Sequence, residues 1–222
     1  MTTSTPTTNP TPHTESTPTP GTRTRLLLTG GLAAGPLFLA AGVAQGLARD
    51  GFDFTRNAIS QLALGTHGWI QTANFLLAAV LLTAAATGLH RLLRTTPGGT
   101  WAPRLVAVFG ASFLAAAVFP ADAGAGFPAG SPDSTRLSTH GAVHMASGMI
   151  GYLALCAAFL VLARSLAARG HRSWALASRL VPLAVLAGFA GSSATVLSFT
   201  AAAALGLTYL TAVTARLLTD RS

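Results

Sequence analysis

Six long apolar runs separated by short polar connections constrain this chain more than any other feature. About 20 apolar residues in a helix cross the hydrocarbon core of a bilayer. In lipid, only a helix or a closed barrel satisfies its own backbone. The runs are Leu26–Ala48, Trp69–His90, Arg104–Phe119, His140–Ala163, Leu180–Leu197 and Ala201–Leu218. They predict an all-α fold, a polytopic membrane helical bundle of about six transmembrane helices. The third run is short and relies on Arg104 snorkelling to the interface. The last boundary is weakly marked. Leu180 to Leu217 carries no charge before Arg216, yet at about 1.5 Å per residue it is too long for one span. Ser198-Phe199-Thr200 is the expected turn.

The charges orient the bundle. All 14 basic residues are arginine. Eleven fall before the first run, between the second and third, between the fourth and fifth, and after the sixth. These segments share one side of a membrane if every run crosses it. Arg49, Arg56 and Arg136 fall on the other side. The positive-inside rule then puts both termini in the cytoplasm, N-in and C-in. A five-span arrangement would put the C-terminal arginines outside and break the agreement between segments. Arginine-only, alanine-rich usage points to a bacterial plasma membrane as the expected location.

Composition excludes other classes. Half the residues are hydrophobic and 9% are charged, against roughly 25% in a soluble domain. A net charge of +8 raises nucleic acid as a partner. The arginines, however, flank apolar runs, and are not interleaved with aromatics as in a nucleic-acid surface. Membrane lipids and a membrane protein partner are the expected partners, and no nucleic acid. Cys156 is the single cysteine, so no intramolecular disulfide forms. Residues 1–24 are rich in Thr and Pro and lack apolar periodicity, which reads as a disordered cytoplasmic tail ahead of a membrane domain at 25–222. Arg23 and Arg25 before an apolar run resemble a signal peptide, but Leu26–Ala48 exceeds the usual apolar segment of about 7–15 residues. It reads as an uncleaved first span.

The polar residues of the outer side are the candidates for function. In the first outer loop, Phe54, Ala58, Ile59 and Leu62 line one face of a short interfacial helix, with Asp53 or Thr55 as its cap. Alternatively, Asp53, Arg56 and Ser60 converge on a site. The second outer loop carries Asp122 and Arg136 between Pro- and Gly-rich turns. The fourth run opens with His140-Gly141-Ala142-Val143-His144. Two histidines at this spacing share a helix face and are able to share a metal. A third ligand would come from Asp122 or His67. No nucleotide-binding, nucleophile-elbow or Cys-x-x-Cys motif is present, and no run has a mid-membrane Asp, Glu or Arg. Ser192, Ser193 and Thr195 read as interhelical hydrogen-bonding groups of the fifth span.

Several segments occur in a telling order: Arg56-Asn57-Ala58-Ile59-Ser60-Gln61-Leu62, Gly68-Trp69-Ile70-Gln71-Thr72-Ala73-Asn74-Phe75, Phe119-Pro120-Ala121-Asp122 with Phe127-Pro128-Ala129-Gly130, and His140-Gly141-Ala142-Val143-His144. On these the chain resembles the bacterial integral-membrane family catalogued as domain of unknown function 998. The resemblance implies a bundle of six spans and brings no substrate or reaction. Ser60, Asp122, His140 and His144 also resemble, loosely, the residues of ceramidase-like and adiponectin-receptor-like transmembrane hydrolases. That second resemblance implies a zinc ion that activates water, but those proteins have seven spans, and His67 would have to serve as third histidine. Two functions follow as expectations. One is binding of a lipid or membrane partner at the outer mouth, with Asp53, Arg56, His67 and Arg136 as binding residues. The other is an intramembrane enzyme acting on a lipid or isoprenoid. Ser60, Asp122 and His144 would be catalytic there, and His140, His144 and Asp122 would hold any zinc.

Overall fold

The computed structural model describes residues 21–134 and 136–220. Six helices dominate: α1 (Thr22–Ala48), α2 (Gly68–Leu93), α3 (Trp101–Val118), α4 (Thr139–Ala168), α5 (Arg172–Ala190) and α6 (Val196–Thr219). All six are long and apolar enough to cross a membrane. Of the expected tail, residues 1–20 lie outside the described residues, whereas Thr22–Thr24 already belong to α1.

Each helix packs against its neighbours in the chain, and α1 packs against α6, so the six form a closed ring. Small residues permit the close approaches. A side chain at Gly30 would collide with the Leu81 carbonyl of α2, and one at Gly188 with Ala202 and the Ser198 carbonyl of α6. In lipid, where apolar burial between helices drives little association, such backbone proximity gains van der Waals contact. The core runs through Phe109, Phe159, Leu82, Leu155 and Leu207, each fully buried.

Two boundaries differ from the expected ones. The fifth helix begins at Arg172, ahead of the apolar run, because Ala175, Ser178, Pro182 and Val185 are its buried residues at helical spacing. Ser178 meets the Tyr209 hydroxyl of α6 at 2.8 Å. The turn between α5 and α6 lies at Gly191–Thr195, not at Ser198–Thr200. Gly and Ser leave the helix readily, and Thr195 caps α6 by accepting a hydrogen bond from Leu197 N at 3.3 Å. Ser192 and Ser193 therefore stand at the very end of the fifth membrane-length segment, and Thr195 in the turn beyond it.

Strict up–down alternation collects Arg91, Arg94, Arg164, Arg169, Arg172 and Arg216 at one end of the ring, with the start of α1. There Asp220, just past α6, binds His171 Nε2 at 2.8 Å and Arg169 Nη1 at 3.3 Å. Burial pushes the Asp220 carboxyl up, but these hydrogen bonds and positive charges outweigh it and hold it below the usual range. Arg104 lies within α3, its guanidinium 5.4 Å from the Trp101 ring.

Candidate functional site

The opposite end is closed by the two loops 49–67 and 119–138, which bind each other through amides and aromatic rings. Asn57 is completely buried. Its Oδ1 accepts from Asp53 N at 2.9 Å, and its Nδ2 donates towards Ala125 O at 3.4 Å. Gln61 accepts from Ala58 N at 3.0 Å and donates to Asp122 O at 3.2 Å. Arg49 donates to Leu64 O at 2.6 Å and lies 5.3 Å from the ring of Phe127, itself buried. Only one 3₁₀ turn forms in the first loop, Ile59–Ala63, instead of an interfacial α-helix. Ile59 and Leu62 are its buried residues. Asp53 shapes the preceding turn by accepting from Thr55 N and Oγ1, which holds its carboxyl below the usual range. The loop also meets α6, since Val196 N donates to Thr55 O at 3.1 Å.

The start of α4 shows why its sequence reads as it does. Ser138 is the N-cap and accepts from Gly141 N at 3.0 Å. Asp122 accepts from the Ser138 hydroxyl at 2.6 Å and from Ser138 N at 2.9 Å. These hydrogen bonds, side-chain first, hold the Asp122 carboxyl below its usual range, with the nearby His144 and His140 adding to the effect. A negative group at a helix N-terminus also meets the positive end of the helix dipole. Position 141 is glycine because the Asp122 carboxylate fills the space a side chain would take.

One turn further on, His144 is 8% exposed and its Nδ1 lies 2.9 Å from Phe119 O. A carbonyl only accepts, so Nδ1 carries a proton, and when the ring is neutral Nε2 keeps its lone pair. This ring forms part of the wall of a cavity of about 320 Å³. All six helices contribute to it, with Phe38, Phe75, Phe113, Tyr152, Phe189 and Phe199 supplying most of the apolar wall. Ala58, Ile59 and Ser60 of the 3₁₀ turn form another part. Met145 and Met149 line the cavity and are also 66% and 51% exposed, so it opens on the outer surface of the ring beside α4.

The expected site residues therefore separate into groups. Ser60 and His144 share the cavity. Asp122 stands beside His144 but is committed to Ser138. His140 is exposed, with its ring 5.5 Å from that of Phe119. His67 is exposed next to Thr66, ahead of α2, and Arg136 is exposed in the second loop. Arg56 pairs with Asp133 of the other loop at 2.7 Å, and not with Asp53. Thus Asp53, Arg56 and Ser60 do not converge. Among the described residues, no three His, Cys, Asp or Glu side chains form a group able to hold a metal ion, His140, His144 and Asp122 included.

Sequence reasoning missed Tyr152, Met145 and Phe189, because a residue inside an apolar run carries no mark of facing a cavity, and it read Phe199 and Thr200 as a turn. Asn57 and Gln61 did carry a signal: two amides four residues apart beside the apolar Ile59 and Leu62.

A closed ring of six membrane-length apolar helices, with a cavity towards the end away from most of its arginines, defines a multi-pass membrane protein. The chain belongs to the family described as Protein of unknown function (DUF998), whose model matches residues 32–218. No curated protein and no solved structure matches it.

Proposed function

We propose that this protein binds a membrane lipid in the cavity at its extracytoplasmic mouth, in a bacterial plasma membrane with both termini cytoplasmic. The observation that carries the reading is the cavity itself: an apolar hollow rimmed by the exposed Met145 and Met149. Its volume of about 320 Å³ lies at the lower end of ordinary ligand sites, which span about 300–1,000 Å³. Methionine suits such a wall, being flexible and polarisable enough to follow a mobile chain. The arginine asymmetry supports this topology and, with it, a cavity in the outer leaflet. The interlocked outer loops offer a surface for a membrane protein partner in the same reading.

Gly148 provides the test. It lines the cavity, and a Cβ there would meet nothing within 4 Å. A side chain therefore leaves position 148 without meeting backbone at its first atom, and Gly148→Trp is the variant chosen to fill the cavity. Protein purified gently and examined by native mass spectrometry should retain lipid, and the variant should retain at least about five-fold less, the equivalent of roughly 1 kcal/mol. Equal retention by both proteins would overturn the reading.

A second reading is an enzyme acting on a lipid or isoprenoid. It is favoured by Ser60 and His144 lining one cavity, with the His144 tautomer set by Phe119 O so that Nε2 is available as a general base. The orienting group is this carbonyl and not Asp122. Incubation with a total bacterial lipid extract, followed by product analysis, tests it. A new product that disappears in His144→Ala supports an enzyme; an unchanged extract removes that reading.

A further inference from the structure

The polar groups of the cavity divide into those already engaged and those left over. The Ser112 hydroxyl donates to Phe109 O at 2.7 Å, and the Tyr152 hydroxyl donates to Ala203 O at 3.3 Å. The His144 ring makes its one hydrogen bond, among the described residues, through Nδ1. Its Nε2 is left over on a side chain that is more than nine-tenths buried and lines the cavity. The Ser60 hydroxyl, also in the wall, is engaged by no other group among the described residues. The buried Thr200 Oγ1 has no partner either, and Thr200 contributes to the same wall. A buried polar atom without a partner costs about 1–3 kcal/mol; Thr200 Oγ1 is such an atom, and His144 and Ser60 add groups to the same wall that an occupant is able to hydrogen-bond.

The wall also limits that occupant by its charge. Among the residues lining the cavity there is no Arg, Lys, Asp or Glu. Phosphate and carboxylate ligands are held by guanidinium or ammonium groups in charge-assisted hydrogen bonds, and none is available. The nearest charge identified beside His144 is the Asp122 carboxylate, which repels an anion. The chemistry left is neutral and needs both a donor and an acceptor.

Resting on the lipid-binding reading above, we propose that the cavity selects a long-chain lipid alcohol. The terminal hydroxyl donates to His144 Nε2 and accepts from the Ser60 hydroxyl. The chain lies against Phe38, Phe75 and Phe113 and leaves past Met145 and Met149.

The test uses full-length protein in nanodiscs of zwitterionic lipid and four diazirine-bearing probes: hexadecanol, farnesol, hexadecanoic acid and hexadecyl phosphate. At least one alcohol should label α4 and the 59–63 turn at least about ten-fold more than the phosphate. Alkanol and farnesol arms distinguish a saturated from an isoprenoid source, and labelling by either supports the proposal. Ser60→Ala, which removes one hydroxyl and no packing, should lower alcohol labelling about five- to ten-fold, the equivalent of one hydrogen bond. His144→Phe should do the same in protein that remains monodisperse. Labelling by the acid or phosphate that equals or exceeds the alcohols overturns this proposal and leaves the lipid cavity standing, as does unchanged labelling in Ser60→Ala. Failure of all four probes to label overturns the lipid reading with it.

Discussion

The Asp122 carboxylate occupies the space that a side chain at Gly141 would need, so a residue of the second outer loop sets the composition of α4. Exposed Gly→Ala changes within helices ordinarily stabilise by about 1 kcal/mol. Here the sign should reverse. Gly141→Ala must push Asp122 off Ser138, and should destabilise by about 1–3 kcal/mol, as overpacking does. Thermal unfolding in detergent measures it, and stabilisation would show that Asp122 is free to move.

Acid should act on the same contact. The Asp122 carboxyl is held below its usual range by Ser138 in the folded protein. Its contribution is therefore in place above the ordinary carboxylate range, and is lost as pH falls through the lower folded value. Unfolding temperatures of wild type and Ser138→Ala, followed from neutral pH downwards, should draw closer as Asp122 protonates, the gap that remains being the lost cap to Gly141 N. Curves that stay parallel in acid would remove Asp122 from the cap.

Asn57 and Arg56 are adjacent but should differ sharply. Asn57 is fully buried and joins the two outer loops. Asn57→Ala strands Asp53 N and the Ala125 carbonyl, and should cost about 2–4 kcal/mol. The Arg56–Asp133 pair at 2.7 Å has side chains 53% and 83% exposed, so Asp133→Asn should cost under about 1 kcal/mol and less in high salt. Chemical or thermal unfolding of the two variants side by side checks the order.

At the arginine-rich end, Asp220→Asn should destabilise by about 2 kcal/mol. It leaves Arg169 and Arg216 near one another without their shared carboxylate. Protein with Arg169→Leu and Asp220→Leu together should recover part of the loss, because only Arg216 is then left without the carboxylate. A double variant as unstable as the single one would show that the pair is not the cause.

Much of the fold was legible because hydropathy reports a transfer free energy that each segment carries by itself. Leu26–Ala48 and Trp69–His90 needed no partner to declare that they cross a membrane. The turn at Gly191–Thr195 was misplaced because Val196 and Leu197 continue the apolar run past it, while the feature that ends it is a contact with Thr55, far away in the chain. For the site, the His140/His144 spacing suggested a shared role that the surroundings of the two rings divide. One histidine faces the cavity and the other is exposed beside Phe119. Asp122 was singled out for its charge, yet its partner is Ser138, a residue with no distinguishing mark in the sequence.

By itself, the sequence determined the number of helices, their alternation and the clustering of arginine at one end, since these depend on local composition and on charge counted loop by loop. Tertiary structure alone decided that the helices close into a ring, that Arg56 reaches Asp133, and that Ser60 and His144 face one hollow whose wall lacks charge. Each of these is a meeting of residues from separate segments. Which residues meet depends on helix rotation and close packing, and neither is written into any single apolar run.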